Sequence, residues 1–289
     1  MAKLTKLREQ LQFNKEIAGV INALKGVAGS EFGRLQRERK KFDEFDAYLK
    51  KIFQTADIRN LSHAFLDGSS LPANIVLITS DGGFLGKLNV SIINTALEQY
   101  KEKDKLIVVG KQGVRYIEEK ASEFMTFPGI SDNISFKEVE KLRDFIIKGV
   151  LEKKAGRTVI VYPHFISFAI QEVETFQLFP CRYLFPEKPK AESANADEEE
   201  AVVFEPSFRR VIEELIWIWA GYMLYNLFWE SKLSEWAARV MHLEGSADEV
   251  KRQGRAVRLE FFRALHENSD RNIREIFSST MALKRARWN

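Results

Sequence analysis

The chain has 289 residues, 45% of them hydrophobic and 29% charged, with a net charge of +3. That length fits one large domain or two small ones and supplies enough apolar residues for a real core. The small positive balance is spread along helical ends instead of being gathered with aromatics, which argues against a nucleic-acid binder; one cysteine, Cys181, excludes an intramolecular disulfide or a cysteine-based zinc cluster.

Residues 1–12 are already charged and helix-like, so no apolar signal region is expected there. Residues 1–55 read as one long N-terminal shaft helix. Leu4, Leu7, Leu11, Asn14, Ala18, Ile21, Lys25, Ala28, Phe32, Leu35, Arg39 and Phe42 step by alternating threes and fours. This is a heptad seam with polar interruptions at Asn14, Lys25 and Arg39. A helix of that length calls for a partner helix of similar length. Gly19, Gly26 and Gly33 repeat every seven residues, with Gly29 between the last two. Each costs about 1 kcal/mol relative to alanine in a helix interior. The stripe therefore reads as a place where another backbone or a large side chain comes close, in preference to simple tolerance of weak helix formers.

The middle of the chain, residues 70–185, changes character. Residues 74–80 (NIVLITS) and 105–110 (KLIVVG) are short, β-branched runs expected as buried strands. Helices are expected over 85–101, 113–121 and 136–151, and further strands over 157–167 and 172–179. Strands alternating with helices imply an α/β layer with a mostly parallel sheet. Residues 186–206 are polar, proline-bearing and acidic at 198–200, as in a solvated linker.

Residues 207–289 read as a second shaft helix, with Ser207 as N-cap after Pro206 and no later proline. Gly221, Gly245 and Gly254 weaken it, and 242–246 is a candidate kink. Residues 215–229 carry no charge. A spanning helix needs about 20 apolar residues, so this stretch is expected to be buried within the protein. Two long terminal helices that flank an α/β insert and pair must run antiparallel. The expected fold is α+β: a long antiparallel coiled coil with an inserted Rossmann-like α/β domain.

Chemistry-bearing motifs are sparse. Asp81-Gly82-Gly83 follows a strand and precedes a helix, as a phosphate-binding loop does, but the dinucleotide and Walker glycine patterns are absent. A tight strand-to-helix turn is the preferred reading. His63, His164, His242 and His266 are scattered without metal-site spacing. No nucleophile elbow is present. Neither a cofactor nor a metal is expected. Arg252, Arg255, Arg258, Arg263, Arg271 and Arg274 line the C-terminal helix, either as a solvated face or as contacts for acidic partner loops.

Five motifs in order carry a family resemblance. They are Lys25-Gly26-Val27-Ala28-Gly29; Thr79-Ser80-Asp81-Gly82-Gly83-Phe84-Leu85-Gly86-Lys87-Leu88-Asn89; Phe204-Glu205-Pro206-Ser207; the run ESKLSEWAARVM from Glu230; and EIFSSTMAL from Glu275. Together they resemble the gamma subunit of F-type rotary ATP synthases over nearly the whole chain. The resemblance implies a non-catalytic central-stalk rotor inside a ring of alpha and beta subunits, with a foot that binds the epsilon subunit and the membrane c-ring. It implies ring contacts at Lys25, Arg258, Arg263, Leu265, His266, Arg271, Met281 and Leu283, and foot contacts at Asp81, Gly82, Gly83, Lys87 and Asn89. It also implies a peripheral position on the cytoplasmic face of a bacterial energy-transducing membrane. Leu265 and His266 replace the family's Arg-Gln, so Arg263 and Arg271 are the candidates to supply that polar contact. The basic tail 284–289 is a further departure. The alternative reading from a different class is a nucleotide-binding α/β protein with helical oligomerisation arms.

Overall fold

The computed structural model describes residues 2–39, 41–56, 58, 61–121, 123–185 and 205–286. The linker expected over 186–206 falls almost wholly outside the described residues, as do the acidic run 198–200, Phe204 and the last three residues of the basic tail. The chain divides into two compact units, one of Met1–Val27 with Val240–Asn289 and one of Ala28–Arg239.

The larger unit is built on a five-stranded sheet of order β3-β2-β1-β4-β5, with β1 Ala73–Ile78, β2 Lys105–Val109, β3 Phe124–Phe127, β4 Arg157–Phe165 and β5 Gln171–Phe179. The pairs β1–β2, β1–β4 and β2–β3 are parallel, and β5 closes one edge antiparallel to β4. Alternate residues of the central strands feed two separate cores, as the period of two requires. Ile75, Leu77, Leu106 and Val108 pack with α3 (Leu88–Gln99) and the short α4 (Lys111–Ile117). Val76, Ile78, Ile107, Val109 and Ile160 face α2 (Lys41–Thr55), α5 (Phe136–Leu151) and α6 (Phe208–Ala286). The sequence reading had no strand at β3. It is four residues long and neither alternates cleanly nor buries deeply.

α6 runs without interruption for 79 residues. Ser207 caps it, its hydroxyl accepting from Arg210 N–H at 3.4 Å. The helix continues through the candidate kink at 242–246, because a glycine leaves the backbone hydrogen bonds of a helix intact. No described helix is long and apolar enough to cross a membrane. The uncharged stretch is instead a core element: Ile216, Trp219, Ala220, Leu224 and Leu227 are buried, and every residue from 227 to 238 is buried.

The N-terminal helix is shorter than expected. α1 spans Ala2–Glu38, Arg39 N–H still bonds to Leu35 O at 3.2 Å, and α2 starts afresh at Lys41. The break falls where the seam meets Arg39, whose guanidinium pairs with Glu230 at 3.3 Å. α2 then buries a new pair, Leu49 and Phe53.

In the smaller unit, the first 26 helical residues lie antiparallel to the distal part of α6. Lys25 bonds Glu244 at 2.6 Å, while Leu11 and Asn14 line one groove with Gly254 and Arg258. Leu4, Leu7, Leu11, Asn14, Ala18, Ile21 and Lys25 are all buried or half-buried, with Ile17 beside them, so the seam is where the heptads put it.

Candidate functional site

The loop after β1 is held by its own side chains. Thr79 Oγ1 donates to Val109 O at 2.7 Å and accepts from Gly113 N–H at 3.0 Å. Ser80 and Asn89 bond reciprocally, Ser80 N–H to Asn89 Oδ1 at 3.2 Å and Asn89 Nδ2 to Ser80 Oγ at 2.9 Å. Asp81 Oδ1 accepts from Lys111 N–H at 2.8 Å, at the start of α4. The carboxylate thus sits where a phosphate-binding turn would place an anion. Gly110 has φ +97°, and a side chain there would collide with the Thr79 carbonyl. The loop is a nine-residue strand-to-helix connection, 79–87, longer than the tight turn its sequence suggests. Of its expected contact residues, Asp81, Gly83 and Lys87 are exposed, Gly82 lies beneath Arg239, and Asn89 is buried.

Doubly wound sheets take ligands where the strand order reverses, here between the carboxyl ends of β1 and β4. In this chain that crevice holds α6. Ser231 and Glu235 line it opposite Ser80, Leu85, Asn89 and Pro163, leaving a cavity of about 10 Å³. Small-molecule sites usually occupy about 300–1,000 Å³. A nucleotide at this place would have to displace the helix, which removes the structural basis of the alternative reading there.

The plug brings charges into the interior. Lys232 Nζ lies 3.1 Å from the Ile130 carbonyl, from Asp132 and from Glu235. Glu235 accepts from Arg239 at 2.6 Å, and Arg239 reaches the Gly83 carbonyl at 3.2 Å with its guanidinium 4.2 Å from the Trp236 ring centroid. Glu230 accepts from Phe165 N–H at 3.1 Å and meets His164 Nδ1 at 3.0 Å and Arg39 at 3.3 Å. The motif beginning at Glu230 was legible in sequence. That its charged members are buried and bonded to the loops at the carboxyl ends of the strands was not, because no local periodicity marks a buried ion. The histidines make no group with metal-holding geometry among the described residues. His63 instead contacts Glu213 at 3.1 Å; burial pushes its imidazole below the ordinary value, partly opposed by that carboxylate.

A second cavity of the larger unit, about 400 Å³, is lined by Leu49, Phe53, Tyr183, Trp219 and Met223 and by two ion pairs, Arg39–Glu230 and Lys50–Asp46. Its charges are satisfied among themselves. Trp219 is buried, whereas Trp217 is 38% exposed.

In the smaller unit, the polar seam positions leave a groove of about 630 Å³ lined by Asn14, Lys15, Lys25, Glu244, Asp248, Lys251, Arg255 and Arg258. Lys25 is therefore already paired within the chain. Arg258, Arg263, Leu265, His266, Arg271 and Met281 are exposed along α6, and Leu283 lies in its last turns. By antiparallel register, the start of α1 meets α6 near residue 267. The stretch from 269 to 281 is exposed throughout, including Ile273, Ile276, Phe277 and Met281. Along the glycine stripe, a Cβ at Gly19, Gly26, Gly29 or Gly33 would meet nothing within 4 Å. Nothing in this chain packs closely there.

In chain order, long helices precede and follow a mixed sheet whose ligand crevice is plugged by the second of them, and this is a stalk-type architecture. A family model described as ATP synthase matches residues 3–283, and the chain belongs to that family. It is 25% identical to the ATP synthase gamma chain of Symbiobacterium thermophilum over 96% of this chain and 97% of the relative. It is 23% identical to that of Methylacidiphilum infernorum over 98% and 100%. Among solved structures, a chain of the Euglena gracilis mitochondrial ATP synthase (OSCP, F1 and c-ring) shares the fold with a TM-score of 0.68 at 16% identity, over 98% of this chain and 95% of that one. A chain of the Tetrahymena thermophila mitochondrial central stalk and c-ring gives 0.63 at 18% identity, over 79% and 99%. The chain is a gamma-type, non-catalytic central-stalk subunit.

Proposed function

We propose that this chain transmits torque between an ion-driven membrane c-ring and the nucleotide sites of a ring of alpha and beta subunits, as a peripheral component on the cytoplasmic face of a bacterial membrane. The observation that carries this is the distal part of α6, which holds Ile273, Ile276, Phe277 and Met281 out to solvent beyond the reach of α1. A monomer gains nothing from such a stretch; a sleeve of surrounding subunits would cover it. The basic residues nearby fit acidic partner loops. A contact made of exposed charges forms and breaks at each step, where a dry apolar lock would trap one angle. Coupling then resides in the different contact energies of the asymmetric shaft with each conformation of the ring. Asp81, Gly83, Phe84 and Lys87 face outward from the loop that the family resemblance gives to foot partners, the epsilon subunit among them.

Co-purification with alpha and beta subunits tests the assignment directly. Within the complex, replacing Arg263 and Arg271 together by alanine should change ATPase rate or torque more than Leu265→Ala does. Charge-assisted contacts contribute about 1.5–3 kcal/mol each, and Leu265 has no side-chain donor to make one. If the double variant turns over normally while Leu265→Ala abolishes coupling, the shaft works through shape and not charge. The isolated chain should take up no ATP.

A further inference from the structure

Within the larger unit, residues 130–143 run antiparallel along α6 as a strap. The Ile130 carbonyl accepts from Lys232, the Ile134 carbonyl from the Tyr225 hydroxyl at 3.4 Å, and the Phe136 ring lies 5.9 Å from that of Tyr225. At the far end, the Arg143 guanidinium sits 3.6 Å from the ring centroid of Trp217. The α6 partners 217, 221, 225 and 232 are spaced by fours and a seven, so they share one helix face.

Both ends of the strap are fixed by buried cations, and they come from opposite sides. Arg143 belongs to the strap; its side chain is 3% exposed, and its charge is met by Trp217 and by Asp144 at 2.9 Å. Lys232 belongs to α6; its side chain is 5% exposed, with Ile130 O, Asp132 and Glu235 around it. Gly221 admits the first pin: a Cβ there would lie 3.1 Å from both Arg143 Nη1 and Phe136 Cζ. Apolar packing between α6 and the sheet is non-directional and tolerates a small twist. A desolvated cation does not, because any slip strips it of the few partners that offset its burial.

We propose that this strap, beside the direct contact of Glu230 with β4, is a joint through which torsion passes between α6 and the sheet, with Arg143 and Lys232 as its positioning residues. The proposal rests on the central-stalk reading. The assembled complex carrying Arg143→Met or Arg143→Lys separates the two. The Met variant should co-purify and hydrolyse ATP, without an opposing ion gradient, within about twofold of the parent. Ions pumped per ATP should fall by about tenfold or more, the shift in a slip equilibrium expected when a desolvated cation–π contact is lost. The Lys variant should recover most of that ratio. Asp132→Asn lies at a largely exposed side chain, keeps the fold, and loosens the other pin; it should lower the same ratio by about twofold. A ratio unchanged in Arg143→Met and in Asp132→Asn overturns the joint, as does hydrolysis falling in parallel with pumping. Failure of the parent chain to assemble with alpha and beta would instead overturn the central-stalk reading itself.

Discussion

One helix lives in two environments. Between residues 212 and 239, α6 is the axis of a packed core, to the point that Glu230, Lys232 and Glu235 are buried with their partners. Between 269 and 281 the same helix buries nothing and leaves its isoleucines and Phe277 to solvent. The first stretch is specified by contacts within the chain, the second by contacts the chain does not contain. The first is also the more apolar, with 18 of its 28 residues hydrophobic against 4 of 13, but the few apolar side chains of the second stay exposed because, among the described residues, no sheet or further helix covers them.

The largest expected effect comes from testing that difference directly. Leu224→Ala, at a fully buried position, should destabilise the isolated chain by about 2–5 kcal/mol in denaturant unfolding. Ile276→Ala should change it by less than about 0.5 kcal/mol. Comparable losses at both sites would mean that the distal stretch is covered within the chain after all.

Gly113→Ala should cost about 1–3 kcal/mol by the same measurement, because the new methyl would press on Thr79 and on Val108 Cγ1 at 2.7 Å. Gly26→Ala should act in the opposite direction. With open space around it, alanine should raise the helicity of the isolated chain and stabilise it by up to about 1 kcal/mol. If the same substitution slows ATPase turnover in the assembled complex, a partner subunit approaches the glycine stripe.

The smallest effect is a pH dependence in the larger unit. The folded-state pKa of His63 lies below its unfolded value, so its neutral form is favoured on folding. The associated stability is fully present above about pH 6.5 and is lost as the pH falls through the folded pKa. His63→Gln should flatten the stability profile between neutral and mildly acidic pH; an unaltered profile would show that another group titrates there.

These contrasts also explain what the sequence disclosed. The seam from Leu4 to Lys25 was legible because heptad spacing is a local signal, and β1 and β2 because fully buried parallel strands read as continuous apolar runs. Ser207 as a cap followed from the proline before it and the helical pattern after it. The break after Glu38 was not legible. There Arg39 pairs with Glu230, nearly two hundred residues away in the chain, a contact that no local pattern announces. The strap was hidden for the same reason: Arg143 interrupts an apolar face of α5, and only the tertiary fold sets Trp217 beside it. The glycine stripe was half legible, because spacing identifies a face without saying whether this chain or another molecule lies against it.

The filled crevice between β1 and β4 has one more consequence. In binding terms, residues 231–235 are a ligand covalently tethered to its own receptor. Tethering holds such a segment at an effective concentration of about millimolar or above, so contacts too weak to retain a free peptide suffice to keep the crevice occupied. A diffusing nucleotide would have to compete with that tethered occupant at all times. A sheet built on a ligand-binding plan is thereby committed to holding a helix.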